Sequence, residues 1–346
     1  MADKILVFRR GSIGDAIVSL PALAVLKSRF PEAEFRILTN APVMNVAAPV
    51  ESLLGGSQFA TKFYSLPPGG GSLGSIISLA RTIRKWNPDQ IFYLSEPSSP
   101  PSLIREFLFF KACGAKKISA MPYGAEQRRY RRKADELWES ECERLLRIVD
   151  APDNPERSSW LEFTAEEKQD AASILEEGMS AGRYIAFSIG AKLPDKDWGD
   201  ENWSSVLNAI TQADRALGII LIGAVDERSR AFGLVQKWHG PILNLCGETE
   251  PRLSALVMEK TLFYLGHDSG PMHLAAMINV PCVAIFSARA KPGVWFPEGD
   301  GHRIFYPWHM AGTVTDKAGF RTAGNSIASI RTEEVIDACL TLVSRE

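Results

Sequence analysis

Short apolar runs recur along this chain, and a stretch with helical spacing follows nearly every one. Ile5–Phe8 reads as a buried strand, and Ala16–Phe30 as a helix with Pro21 as a kink. Glu34–Thr39, Lys62–Leu66, Gln90–Leu94 and Lys116–Ser119 read as further strands, with helices over Leu73–Trp86 and Leu103–Cys113. Strands alternating with helices at this spacing imply a parallel sheet covered on both faces.

The pattern breaks once. Residues 120–133 are polar and basic, 134–149 read as one long helix, and Ala151-Pro152-Asp153-Asn154-Pro155 reads as a linker. A second series then begins, with strands at Tyr184–Ser188, Gly218–Ile222, Ile242–Leu245, Leu262–Leu265 and Cys282–Phe286. Helices are expected over Trp203–Ala213, Asp226–Trp238, Arg252–Glu259 and Pro271–Ile278. A chain of 346 residues exceeds one ordinary core. The expected fold class is therefore α/β, with two Rossmann-like parallel-sheet domains, 1–160 and 161–346. Facing across a cleft, such domains bind ligands in loops at the strand C-termini, so chemistry is sought there.

Net charge is −2, which gives no general attraction for nucleic acid. The five cysteines (Cys113, Cys142, Cys246, Cys282, Cys339) lack metal-site spacing and read as free thiols in a reducing compartment. The first apolar run is too short for a signal peptide core, and no run reaches the length of a membrane helix. A cytoplasmic protein is expected, with any membrane contact peripheral, on the inner face.

The first strand runs into Gly11-Ser12-Ile13-Gly14-Asp15 and a helix. The third glycine of a dinucleotide loop is missing, the second strand ends in Thr39-Asn40 rather than an acid, and there is no GK[ST]. Nicotinamide and P-loop enzymes are thus disfavoured. Asp15 suits a helix N-terminus, and it also suits a base that takes a proton from a hydroxyl. Later, a strand ends at Asp268-Ser269-Gly270-Pro271-Met272-His273, where a helix N-terminus offers N–H groups to a diphosphate. Simple capping is the plain alternative there, and a packed core position is the plain alternative for His273.

Together these loops resemble glycosyltransferase family 9, the ADP-heptose–lipopolysaccharide heptosyltransferase family. The resemblance rests on Gly14-Asp15, Leu20-Pro21-Ala22-Leu23, Asp195-Lys196-Asp197-Trp198 with Trp203, Gly247-Glu248-Thr249 and Asp268-Ser269-Gly270-x-x-His273, in family order over residues 4–286. It implies a GT-B fold, with the acceptor in the N-terminal domain, the donor in the C-terminal one, and a last helix able to return onto the N-terminal domain. It further implies inverting transfer without a metal. The co-substrate would be a nucleotide sugar, ADP-linked by family default, with no other cofactor. By the same resemblance Asp15 matches the base, and Lys196, Asp268, Ser269, Gly270 and His273 match the donor diphosphate site. Glu227 falls where the ribose is held and Thr249 where the base is met; Lys192 is a further cation for the leaving group. Ser12 and Gly14 sit on the acceptor side.

Two regions depart from the family or stand apart from it. After Phe286 the family continues Gly-Pro-Thr, where this chain has Ser287-Ala288-Arg289, and residues 295–325 have no assignment. Arg128, Arg129, Arg131 and Arg132 form a basic run that reads either as a solvated loop or as a clamp for an acidic or lipid-linked saccharide. Two other readings stay open: an epimerase or hydrolase of the same fold, although no second carboxylate pairs with Asp15 in the sequence, and a non-catalytic sugar-nucleotide binder.

Overall fold

The computed structural model describes residues 3–41, 48–96, 98–133, 137–152, 161–191, 193–310 and 325–344. The chain forms two compact units, Met1–Glu162 and Phe163–Glu346.

The first unit holds β1 (Lys4–Phe8), α1 (Ile13–Arg29), β2 (Glu34–Asn40), α2 (Glu51–Leu54), β3 (Lys62–Leu66), α3 (Leu73–Trp86), β4 (Gln90–Tyr93), α4 (Pro100–Ala112), β5 (Lys117–Ser119), α5 (Ala125–Arg128) and α6 (Glu141–Ile148). Its strands are all parallel, in the order β3-β2-β1-β4-β5. Ile5, Leu6, Val7 and Phe8 are buried without alternation because β1 lies mid-sheet, with helices on both faces. One face carries α1 beside α6, and the other carries α3 beside α4.

The second unit holds α7 (Ala165–Gly178), β6 (Tyr184–Ser188), α8 (Asp200–Ala213), β7 (Gly218–Leu221), α9 (Arg228–Leu234), β8 (Ile242–Asn244), α10 (Pro251–Met258), β9 (Tyr264–His267), α11 (Gly270–Met277), β10 (Cys282–Ile285), β11 (Arg303–Phe305) and α12 (Thr332–Val343). Its parallel sheet runs β11-β10-β9-β6-β7-β8. The strand order reverses between β1 and β4 in one unit and between β6 and β9 in the other. Each reversal opens a crevice at the strand C-termini.

Three expectations change. The helix expected over 134–149 begins only at Glu141, where Ser140 caps it: the Ser140 hydroxyl accepts from the Glu143 N–H at 3.1 Å and the Glu143 carboxylate accepts from the Ser140 N–H at 2.8 Å. Upstream of it, Arg132 and Trp138 form an antiparallel bridge. The helix expected over 226–238 shrinks to α9, after a single tight turn at Val225–Glu227. The polar helix α7 leaves little trace in the sequence, because Ala171 is its one buried residue and its apolar period is weak. The last helix, α12, packs on α8 and places Val335, Cys339, Leu342 and Val343 in the core of its own unit. The linker residues 153–155 lie outside the described residues. All five cysteines are buried thiols.

Candidate active site

At the crevice of the second sheet the loops after β6 and β9 lie side by side. Lys196 places its Nζ 2.7 Å from Asp268 Oδ2. The residues around Lys196 anchor its loop. Trp198 is buried, its indole stacked edge-on to Trp203 at 4.9 Å, and its backbone N–H donates to His267 Nε2 at 2.9 Å. Arg230 holds Asp197 at 2.5 Å, and Arg289 pairs with Asp195. In Asp195-Lys196-Asp197-Trp198, both carboxylates therefore bind arginines and the tryptophan is a core anchor, which leaves the lysine facing Asp268.

His267 is the link sequence reasoning missed. It is 1% exposed, at the last position of β9. Its Nε2 accepts from Trp198, which assigns the ring proton to Nδ1, donating to the Ile189 carbonyl at 3.1 Å. Burial holds its pKa down to about 4, against the pull of Asp197 and of the Ile189 carbonyl. The neutral ring thus ties both ends of the Lys196 loop to β9. A histidine just before the Asp-Ser-Gly turn was the only sequence signal.

Helix α11 starts at Gly270 with Ser269 in the N-cap position and Pro271 in the first turn. Its first-turn amides have no helical partners. His273 is buried, its Nε2 3.9 Å from Asp268 Oδ1 and its ring edge-on to Trp295 at 6.2 Å. A helix N-terminus, a lysine and a histidine thus converge on Asp268.

Glu227 borders the same loop. Its carboxylate accepts from the Ala224 N–H at 2.9 Å and fits against Gly190 and Gly223, beyond the ends of β6 and β7. A Cβ on Gly223 would overlap its Oε2. Burial raises the Glu227 carboxyl pKa above the ordinary range; the Ala224 N–H opposes this and Asp226 adds to it. Thr249 Oγ1 lies 2.8 Å from Ser254 Oγ. It follows Glu248, which pairs with Arg228 next to Glu227. Lys192 lies outside the described residues.

In the first unit, the loop after β1 is pinned by both neighbouring strands. The Gly11 N–H donates to Asn40 Oδ1 at 2.6 Å, and the Arg10 N–H to Ser95 Oγ at 2.8 Å. Gly11 has φ +134°, and a Cβ there would overlap the Asp15 carboxyl. Asp15 lies in the first turn of α1, where its Oδ2 accepts from the Ser12 N–H at 2.7 Å and the Ser12 hydroxyl at 3.0 Å. Capping therefore occupies one oxygen. The other, Oδ1, lies 3.5 Å from Arg9 Nη2. Gly14 is buried beside it.

Below Asp15 runs a charged network that the sequence did not reveal. Arg9 is 2% exposed, donates from Nη1 to Glu141 Oε1 at 2.7 Å and to the Leu94 carbonyl at 2.6 Å, and donates from Nε to the Asp15 carbonyl at 2.9 Å. Glu141, fully buried, also takes Arg144 Nε at 2.7 Å and the Tyr130 hydroxyl at 2.9 Å. Burial opposes the Glu141 charge, but Arg144 and Arg9 outweigh it and hold the carboxyl pKa below its usual range. Glu96 has an exposed surface, yet the protein packed around its carboxyl, then Glu141 and Asp15, raise its pKa. Asp15 thus does have carboxylate neighbours, though Glu141 is committed to arginines. In the basic run, Arg129, Arg131 and Arg132 are exposed and Arg128 half-buried, while Tyr130 turns inward to Glu141.

The sequence profile of glycosyltransferase family 9 (heptosyltransferase) matches residues 79–307. This chain belongs to glycosyltransferase family 9. It is similar to lipopolysaccharide heptosyltransferase 3 of Escherichia coli K12, 24% identical over 303 residues covering 80% of each chain. It is also 24% identical over 303 residues to lipopolysaccharide heptosyltransferase 2 of the same strain, covering 82% of each. Its fold resembles that of the crystal structure of the glycosyl transferase family 9 from Veillonella parvula DSM 2008 (TM-score 0.75, 18% identity, 99% and 97% covered). It also resembles the ADP-heptose lps heptosyltransferase II of E. coli (TM-score 0.65, 20% identity, 99% and 100% covered).

The chain is thus a glycosyltransferase with the α/β, GT-B fold of its family. Its departure from the family pattern after β10 has a structural place. Ala288 donates its N–H to Ser326 Oγ at 2.9 Å, and Arg289 ties this segment to Asp195, next to Lys196. The unassigned stretch after residue 295 forms an aromatic cluster, with Phe296 against Phe286, Tyr306 and Trp308, plus strand β11. His302 accepts from the Cys282 N–H at 3.0 Å and so holds this stretch to β10. Residues 311–324 lie outside the described residues.

Proposed function

We propose that this glycosyltransferase moves a heptose-type sugar from an ADP-linked donor to a saccharide acceptor of lipopolysaccharide or a related surface glycan, in the cytoplasm. The relatives named for heptose transfer support the sugar and the acceptor class. The observation that carries the reading is the meeting of Lys196, Asp268 and the α11 N-terminus at a strand crevice. A diphosphate would displace Asp268 from Lys196 and accept from the N–H groups of Ser269 and Gly270, with His273 alongside. Glu227 would receive the ribose hydroxyls, Thr249 the base edge, and Lys192 would add charge near the phosphates.

The transfer is proposed to invert the anomeric centre without a metal. The acceptor hydroxyl gives its proton to Asp15 Oδ1 as its oxygen attacks the anomeric carbon. The bond to the diphosphate breaks on the opposite face, and the nucleoside diphosphate leaves with the electron pair. Lys196 and the helix amides stabilise the developing charge. Ser12 and Gly14 would line the acceptor hydroxyl, and Arg128, Arg129, Arg131 and Arg132 would meet acidic groups farther along the acceptor.

The test is acceptor-dependent release of ADP. Asp15→Asn should cut kcat by about a thousandfold or more with donor affinity kept, as expected for a base that acts only in the transition state. Lys196→Ala should weaken donor binding and turnover together. Nucleotide release without acceptor, or near-normal turnover by Asp15→Asn, would sink the reading.

A further inference from the structure

The first unit carries an exposed apolar surface that the transfer reaction does not use, edged with basic residues of which only those at 128–132 have been given a place in acceptor binding. Leu73 is 78% exposed, Ile104 62%, Leu108 61% and Tyr123 59%, with Ile77 at 40%. Leu73 and Ile77 open α3, and Ile104 and Leu108 lie one turn apart in α4, the helix packed beside it. Tyr123 leans edge-on against Phe107 of α4 at 6.3 Å. Both helices start at the C-terminal edge of a parallel sheet, so Leu73 and Ile77 lie toward the edge where Asp15 follows β1, and Ile104 and Leu108 continue the patch along α4. Exposed apolar residues elsewhere in the described chain, such as Val225 and Phe232, are scattered and need no partner.

The charge around this patch is one-sided. Residues 81–133 hold twelve Lys and Arg against four Asp and Glu, a net of +8 in a chain whose total is −2. Arg81, Arg84 and Lys85 occupy the exposed last turns of α3, Arg105 and Lys111 flank Leu108, and the exposed Arg129, Arg131 and Arg132 follow Tyr123. One of the four acids, Asp89, cancels Lys116, and two others, Glu106 and Glu96, face other groups. Glu106 is buried against Arg10 and the Tyr93 hydroxyl, Asp89 is taken by Lys116 and the Lys4 N–H, and Glu96 stands over the Asp15 network. Glu96 and Glu126 are the exposed acids among residues 81–133.

We propose that this face docks the enzyme on an anionic lipid surface: Leu73, Ile77, Ile104, Leu108 and Tyr123 enter the headgroup region, and the surrounding lysines and arginines bind lipid phosphates. Apolar groups ringed by cations suit a bilayer interface, where burial and attraction to anionic lipid add. A second copy of the chain fits poorly, because two such faces would bring like charge together. The inference goes beyond the transfer reaction and stands apart from the identity of the sugar.

The test is co-sedimentation of the full chain with vesicles of phosphatidylcholine alone or mixed with phosphatidylglycerol, at low and high salt. The wild type should bind the anionic vesicles, less so in high salt, and bind the neutral ones weakly. Leu73→Glu/Ile104→Glu/Leu108→Glu should reduce anionic-vesicle binding by about tenfold or more, because a charge now sits where apolar groups must enter. The serine triple at the same positions should reduce it less. Acceptor-dependent ADP release with a short water-soluble acceptor should be unchanged in both triples, which separates docking from catalysis. Equal binding by wild type and the glutamate triple would overturn the proposal. So would absence of binding to anionic vesicles, or a wild-type dimer that the triple dissolves.

Discussion

The neutral His267 makes the second unit's stability depend on pH in a calculable way. Its ordinary pKa is 6.5, and burial lowers it to about 4 in the folded chain. Between those values the unfolded chain binds the proton and the folded chain resists it. Stability is therefore full above the unfolded pKa and falls as pH drops through the window. The slope approaches about 1.4 kcal/mol per pH unit, and the total loss is about 3 kcal/mol before it levels off near the folded value. The perturbation is His267→Gln, whose amide oxygen can still accept from Trp198 but does not titrate. Denaturant unfolding followed by tryptophan fluorescence, from about pH 4.5 to about pH 7.5, gives both stabilities. Taking wild type minus variant cancels the titrating groups that do not interact with His267, and its neighbour Asp197, held low by Arg230 against burial, stays ionised over this range. That difference should fall steadily with acidification, and donor affinity should fall over the same window as the Lys196 loop loosens. A constant difference across the range would refute the argument.

Two further substitutions test the first unit. Glu141→Gln leaves Arg9 and Arg144 buried without their counter-charge and should destabilise that unit by about 3–5 kcal/mol, read as a lowered midpoint of thermal unfolding. Gly11→Ala forces a Cβ into the Asp15 carboxyl at a φ that alanine resists, and should reduce turnover more than it reduces donor affinity in calorimetry.

Much of the candidate site was legible because its residues sit in contiguous loops. The runs Gly14-Asp15 and Asp268-Ser269-Gly270 each follow an apolar strand, and strand-turn-helix is a local pattern. Strand positions came out well where runs were short and flanked by turns, as at Lys62–Leu66. The supports were hidden because they are long-range. Arg9 meets Glu141 across 132 positions, and Trp198 meets His267 across 69. Nothing in the neighbourhood of Glu141 distinguishes it from the surface glutamates of an amphipathic helix. The early end of α9 escaped for a related reason: its helix-forming residues continue to Trp238, but Val235 leaves the helical conformation, and the Trp238 indole donates to the Leu217 carbonyl at 2.8 Å.

The five buried thiols make the chain convenient for labelling. Burial pushes Cys113 and Cys246 up to about 12, and raises Cys282 and Cys339 as well. At neutral pH these groups stay protonated and shielded, so a maleimide has little native thiol to attack. Ser28→Cys on α1 and Ser229→Cys on α9, both exposed, would then form a clean dye pair. Each dye would then report on the unfolding of its own unit, one molecule at a time, without first stripping the protein of its own cysteines.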